Sequence, residues 1–230
     1  EKAWVEYINR LVGVLIGFLI IINMILSFRF WALDKRIVFV SVISFILVVF
    51  QGWVGSLVVS TNLLPGFISF HMLLAILLVS LLLTQRYLMI GRNPEISGKP
   101  LISALLMLFL IQIAFGIQVR EEIDWVKNMT SLARVDWLNE VGVMFFIHRS
   151  YSLVIVGLVG LLIYQNLKLG IGKSLKVLAG VILIEIVLGV ILSNYGMPAF
   201  AQTIHILLAT VALGVIFYLF LSTNLNIKHS

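Results

Sequence analysis

The sequence contains no cysteine, only four prolines and few charged side chains. Because cysteine is absent, the chain itself has no disulfide, no thiolate-bound haem or iron–sulfur cluster, and no cysteine nucleophile. Charged residues make up 11% of the 230 residues, whereas soluble domains carry roughly a quarter. Hydrophobic residues make up 61%, so too few charges remain to solvate the surface of a globule of this size. The composition therefore predicts an all-α integral membrane protein.

Seven apolar stretches are long enough to cross a bilayer. A helix rises about 1.5 Å per residue and needs roughly 20 apolar residues to span a hydrocarbon core of about 30 Å. The stretches are nearly free of charge and apolar on all sides, which is typical of helices surrounded by lipid and by other helices. They cover about 10–28, 37–59, 66–84, 101–119, 142–165, 176–194 and 199–222.

The loops between these stretches differ in charge. Loops 29–36, 85–100 and 166–175 are basic, whereas loop 120–141 carries five acidic and three basic residues. Cytoplasmic loops of membrane proteins are enriched in Lys and Arg. We therefore expect a multi-pass protein, in a bacterial plasma membrane, with residue 1 outside and the C-terminus in the cytoplasm. The net charge of +6 indicates topology in a lipid bilayer and does not indicate nucleic-acid binding.

Two parts of the chain resemble each other. Ile8-Asn9-Arg10 and Ile147-His148-Arg149 lie 139 residues apart, and His71 and His205 lie 134 residues apart. Each triplet opens a helix, each histidine follows a short turn that contains Pro65 or Pro198, and both copies run in the same direction through the membrane. The pattern predicts a tandem parallel duplication.

The duplicated unit is expected to be a four-helix bundle, because one more helix precedes the second copy. The halves would be residues 1–99, with three helices, and residues 100–230, with four. The first helix of the first copy is expected to be missing from this chain. Either the chain starts inside a longer protein, which we favour, or this member of the fold has lost that helix.

Three histidines, His71, His148 and His205, lie within apolar stretches. If the crossings alternate, all three fall in the outer half of the membrane. Ionisable side chains at that depth are energetically unfavourable and occur mostly at binding sites or along ion pathways. A single histidine would be explained by a hydrogen bond to a neighbouring helix, but three at one depth favour a site.

Imidazoles on packed helices can ligate a haem iron from both sides. Zinc would require three or four close ligands, and the spacing provides no such set. Proton relay remains an alternative because Glu185 lies in the middle of an apolar stretch, although Gln51 at the matching position favours hydrogen bonding. Arg10 and Arg149 either bind haem propionates or extend to the membrane surface.

Five segments carry a resemblance to a known family. They are Trp4-Val5-Glu6-Tyr7-Ile8-Asn9-Arg10, Gln51-Gly52-Trp53-Val54-Gly55, Ser69-Phe70-His71-Met72-Leu73-Leu74-Ala75, Phe145-Phe146-Ile147-His148-Arg149 and Gln202-Thr203-Ile204-His205. Their order and spacing, from residue 4 to about 220, resemble those of the haem A synthase family, membrane enzymes of terminal-oxidase assembly. The resemblance implies eight helices in two four-helix halves.

The resemblance also implies a ligand set. The C-terminal half would bind haem b through His148 and His205, and the N-terminal half would bind the substrate, haem o, through His71. The family's second ligand for the substrate haem is replaced here by Asn9, a poor iron ligand. Arg10 and Arg149 would lie beside the two haems.

The implied reaction is oxidation of a methyl group of haem o to the formyl group of haem a, through an alcohol and a hydrated aldehyde. Glu6 matches a family carboxylate and would accept a proton or orient water. It equally fits a solvated carboxylate at a helix N-terminus. Haem o, an electron donor, and a second copy of the chain or terminal-oxidase assembly factors are the implied partners.

Two other functions fit the same residues. A non-enzymatic membrane b-type cytochrome would need paired histidines in each haem site. A small-molecule transporter would need more polar residues within its helices than this chain has.

Overall fold

The computed structural model describes residues 2–61, 63–91 and 96–225, except for the side chains of residues 2, 3 and 5. The described residues form seven long helices, two short 3-10 helices and no strand. Each long helix is long and apolar enough to cross a membrane, which confirms the predicted all-helical membrane fold. The long helices are α1 (Lys2–Ser27), α2 (Lys35–Ser60), α3 (Pro65–Ile90), α4 (Lys99–Met129), α5 (Val143–Asn166), α6 (Lys173–Asn194) and α7 (Ala199–Asn224).

Local signals explain where several helices begin. The Asp34 side chain accepts a hydrogen bond from the backbone N–H of Arg36 at 2.9 Å and caps α2. Pro65 is the first residue of α3, where its missing N–H has no helical partner to lose. Gly98 precedes α4 with a φ of 111°, a left-handed conformation that favours glycine.

The largest difference from the sequence prediction is the length of α4, which continues ten residues beyond the predicted end at 119. Hydropathy falls there, but the helix persists because its extension is amphipathic. Val119, Ile123 and Val126 are buried at helical spacing, while five charged residues lie at other positions between 120 and 127. The predicted loop 120–141 is therefore α-helical over its first ten residues.

The chain divides at Gly91 into two compact units, which are described separately. In unit 1, α2 packs against both α1 and α3. Asn23 on α1 and Gln85 on α3 form a reciprocal amide pair, with the Asn23 Nδ2 donating to Gln85 Oε1 at 2.7 Å.

In unit 2, α4 packs against α5 and α7, and α6 packs against α5 and α7. Leu162, Leu178 and Leu219 are among the fully buried side chains that form its interior. Asn166 at the end of α5 is also fully buried, and its amide bonds the backbone N–H and C=O of Ser97, which precedes α4.

Residues 130–142, here called the connecting cap, pack against the last turns of α4 and against the turn between α6 and α7. Its Arg134 donates from Nε to the Met197 carbonyl at 2.7 Å and from Nη2 to Gln202 Oε1 at 2.8 Å. Met197 packs with Val119, Ile123 and Val141 in one apolar cluster that includes Trp137 and Phe145 at its margin. The cap is thereby fixed to the α6–α7 turn, next to the start of α7.

Candidate functional site

The three histidines within helices lie at matching distances from the start of their helices. Each lies five or six residues after the first residue of its helix, His71 in α3, His148 in α5 and His205 in α7. At about 1.5 Å per residue, each ring therefore lies roughly 8 Å along its helix.

In unit 2, two of these histidines face each other. The ring centres of His148 and His205 are 6.4 Å apart and the ring planes are perpendicular, at 88°. Two imidazoles bound to opposite sides of one metal ion, with metal–nitrogen bonds of about 2 Å, have ring centres roughly 6 Å apart. The pair has the separation that a single iron between two imidazoles requires.

A glutamine and a glycine on α4 position His148. The Gln112 amide donates from Nε2 to the His148 carbonyl at 3.0 Å. One turn further along α4, a Cβ on Gly116 would lie 3.1 Å from His148 Cε1. Only glycine lets the imidazole approach the α4 backbone so closely.

The same arrangement recurs in unit 1 around His71. The Gln51 amide on α2 donates from Nε2 to the His71 carbonyl at 2.9 Å. A Cβ on Gly55 would lie 3.2 Å from His71 Cε1. His71 and His148 thus each contact a glycine on the preceding helix, and that glycine follows a glutamine by four residues.

His205 has a different neighbour. Its Nδ1 lies 2.6 Å from Oε2 of Glu185 on α6, although the ring N–H does not point at that oxygen. A Cβ on Gly189, four residues after Glu185, would meet nothing within 4 Å. The His205 ring therefore contacts a carboxylate where the other two rings contact a glycine.

Buried polar atoms without a hydrogen-bond partner are concentrated at these histidines. Among the described residues, eight buried side-chain nitrogen or oxygen atoms have no partner, and seven of them belong to the histidines or to residues beside them. Buried polar groups normally have partners, so a cluster of exceptions indicates a binding site. The seven are Gln51 Oε1, His71 Nδ1, Gln112 Oε1, His148 Nδ1, the Tyr151 hydroxyl, Glu185 Oε1 and His205 Nδ1.

The other predicted site residues lie on exposed helix surfaces. On α1, Arg10 Nη2 and Glu6 Oε1 form an ion pair at 2.6 Å, and more than half of each side chain is exposed. Asn9 is exposed, and within the described residues no hydrogen bond joins it to His71. Arg149 is exposed beside His148.

Four residues of these sites were not singled out as site residues from the sequence. Gln112, Gly116 and Gly55 support the imidazoles, and the Tyr151 hydroxyl lies one turn along α5 from His148. The ring of Tyr151 stacks edge-on against Phe115, the neighbour of Gly116, at 5.3 Å. A signal was present: the spacing of Gln or Glu followed four residues later by Gly occurs on α2, α4 and α6, and each of these helices precedes a histidine-bearing helix.

The described residues contain no group of three or more His, Asp or Glu side chains close enough to hold a bare metal ion. The fold and the site define a multi-pass helical membrane protein whose interior carries a facing pair of imidazoles.

Comparison with protein families identifies it further. The family model COX15-CtaA, described as cytochrome oxidase assembly protein, matches residues 1–217. The chain belongs to this family, which confirms the resemblance to the haem A synthases and gives the protein a role in cytochrome oxidase assembly. No curated protein and no solved structure matches the chain.

Proposed function

We propose that this protein is a haem A synthase, which oxidises a methyl group of haem o to the formyl group of haem a. The facing pair of His148 and His205 carries the proposal, because its 6.4 Å separation fits two axial ligands of one haem iron. The family's role in oxidase assembly supports a haem as substrate.

Unit 2 would hold haem b as a resident cofactor. His148 and His205 would hold it through their ring nitrogens, and Arg149, exposed one residue after His148, would pair with a propionate. When bound, the haem supplies one-electron redox chemistry. Gln112 and Gly116 would fix the orientation of one ligand ring.

Unit 1 would hold the substrate haem. His71 is the one imidazole among its described residues, seated on Gly55 and held by Gln51. One strong axial ligand leaves the opposite side of the substrate iron free of a second imidazole, which suits a group that must bind, react and leave. Asn9 would donate or accept a hydrogen bond on that side.

Glu6 would hold a proton or orient water near the reacting methyl group. It is one turn before Arg10 on α1 and forms an ion pair with it. A surface pair of this kind contributes little to stability, typically below about 1 kcal/mol. The carboxylate is therefore available to exchange its arginine partner for a proton or a water molecule. The electron donor, a second copy of the chain and oxidase assembly factors complete the proposed set of partners.

A second candidate, a b-type cytochrome that carries electrons, is favoured by the exposure of Asn9, which no hydrogen bond joins to His71 within the described residues. Such a protein would bind haem in unit 2 and perform no oxidation.

One experiment separates the two functions. The purified protein is supplied with haem o, dioxygen as the oxidant and a reductant as the electron donor, and the pigments are extracted and resolved by chromatography. Haem A synthase activity yields haem a or its alcohol precursor, and both disappear in His71→Ala. A protein that carries haem b but leaves haem o unchanged is an electron carrier, and a protein without haem contradicts both functions.

A further inference from the structure

Glu185 occupies an unfavourable place for a carboxylate. It lies twelve residues into the 22-residue helix α6, and 11% of its side chain is exposed. A charged side chain at such a depth requires a compensating interaction. Within the described part of the chain, the ion contact of Glu185 is with the imidazole of His205, at 2.6 Å.

The contact is a feature of one site only. Gln51 and Gln112, which precede a glycine by four residues as Glu185 does, donate their amides to the backbone carbonyl of a histidine. A carboxylate has no hydrogen to donate, so Glu185 contacts the ring nitrogen itself. The 2.6 Å between Nδ1 and Oε2 leaves no space for another atom, so Glu185 is the acceptor beside Nδ1, and a rotation of the ring aims the N–H at it.

The chemical consequence follows from how imidazole binds a metal. When Nε2 is the ligand, Nδ1 carries the proton, and a carboxylate that accepts that proton's hydrogen bond makes Nε2 more basic. A more basic axial ligand and a nearby negative charge both stabilise ferric over ferrous iron, which lowers the reduction potential. An amide in the same place has neither effect to a comparable degree.

We propose that Glu185 is a positioning and tuning residue, which holds Nδ1 of His205 and makes the haem of unit 2 more reducing. The two histidines are then inequivalent. The ring nitrogen of His205 lies beside the Glu185 carboxylate, whereas the Gln112 amide donates to the backbone carbonyl of His148 and not to its ring. This inference rests on the proposed binding of haem by His148 and His205, and it adds which side chain sets the potential.

The test compares midpoint potentials of the purified haem-loaded protein. Glu185→Gln places at this position the amide found at the two related positions, and we expect the haem to remain low-spin while its potential shifts to a more positive value. Glu140→Gln, which removes a negative charge from the connecting cap, is the matched control and should leave the potential unchanged. Glu185→Asp keeps the charge but shortens the side chain, so its midpoint potential should lie between those of the wild type and Glu185→Gln.

A direct measurement of the bond supports the interpretation independently. In His148→Ala, His205 is the one remaining axial ligand, and its iron–nitrogen stretching frequency can be measured in the ferrous state by resonance Raman spectroscopy. Adding Glu185→Gln should lower this frequency, because the proximal nitrogen becomes less basic.

Equal potentials in the wild type and Glu185→Gln, with haem bound in both, would overturn the inference and leave the proposed function intact. Should Glu185→Gln fail to accumulate, Glu185→Asp decides: its shorter side chain should raise the potential measurably, and an unchanged value contradicts the role. A wild-type protein without haem would overturn the inference and the proposed function together.

Discussion

The imidazole rings of His148 and His205 stand perpendicular to each other with their centres 6.4 Å apart, one on α5 and one on α7. These helices are held in place by α4 and α6, because α4 packs against both of them and so does α6. The separation of the rings is thus set by the packing of all four helices of unit 2. A substitution of either histidine should change the spectrum of a bound haem.

We expect the haem of unit 2 to be lost or to become high-spin in His148→Ala and in His205→Ala, because each variant lacks one of two axial nitrogens. In the wild type, perpendicular ligand planes leave two iron d orbitals nearly equal in energy, so the ferric haem should give a highly anisotropic low-spin signal in electron paramagnetic resonance. Asn194→Ala, an exposed residue at the end of α6, is the control. A low-spin signal that persists in both histidine variants would refute the ligand assignment.

The glycines beneath the imidazoles give a prediction with neighbouring controls. Gly55→Ala would bring a methyl group to 3.2 Å from His71, and Gly116→Ala would bring one to 3.1 Å from His148. Each ring must shift, and we expect haem affinity in the corresponding unit to fall by about 10- to 100-fold, as for other changes beside a metal ligand.

The controls for this prediction are Gly52→Ala and Gly157→Ala, because a Cβ at either position meets nothing within 4 Å. Haem titration of the apoprotein measures all four variants. Equal affinities for Gly52→Ala and Gly55→Ala would show that the close approach to His71 has no part in binding.

Asn9 provides a test of whether α1 contributes a group to the haem site of unit 1. Asn9→His places an imidazole at the position that matches His148, and we expect the haem of unit 1 to become six-coordinate and low-spin. Release of product should then slow, because the haem is held by two strong ligands. Absorption spectra and turnover with haem o test both effects, with His71→Ala as the variant that binds no haem in unit 1. If the spectrum of Asn9→His matches that of the wild type, α1 does not supply a group to this site.

The absence of cysteine makes the membrane topology testable without background labelling. We expect Leu64→Cys and Asn128→Cys to react with a membrane-impermeant maleimide added to intact cells, because these positions lie beside the acidic or uncharged connections. Leu169→Cys, in a basic connection, should react only after the membrane is opened. The reverse pattern would invert the orientation proposed for all seven helices.

The sequence alone determined the number of helices and the position of each histidine along its helix. Bilayer thickness fixes how many apolar residues each crossing needs, so counting along the chain is enough to place His71, His148 and His205 near the starts of their helices. The sequence was less informative where a helix continues beyond its apolar stretch. The last ten residues of α4 are helical but amphipathic, so hydropathy alone did not predict them.

Only the tertiary structure decided which groups meet. A helix that is apolar on all sides has no polar face to show which way a side chain points, so the rotation of each helix about its axis is set by packing with its neighbours. The sequence placed Gln51, Gln112 and Glu185 near the histidines in depth, but it could not show that two of them hold a backbone carbonyl and the third an imidazole nitrogen. That difference depends on distances of a few ångströms between helices, which no spacing along one chain records.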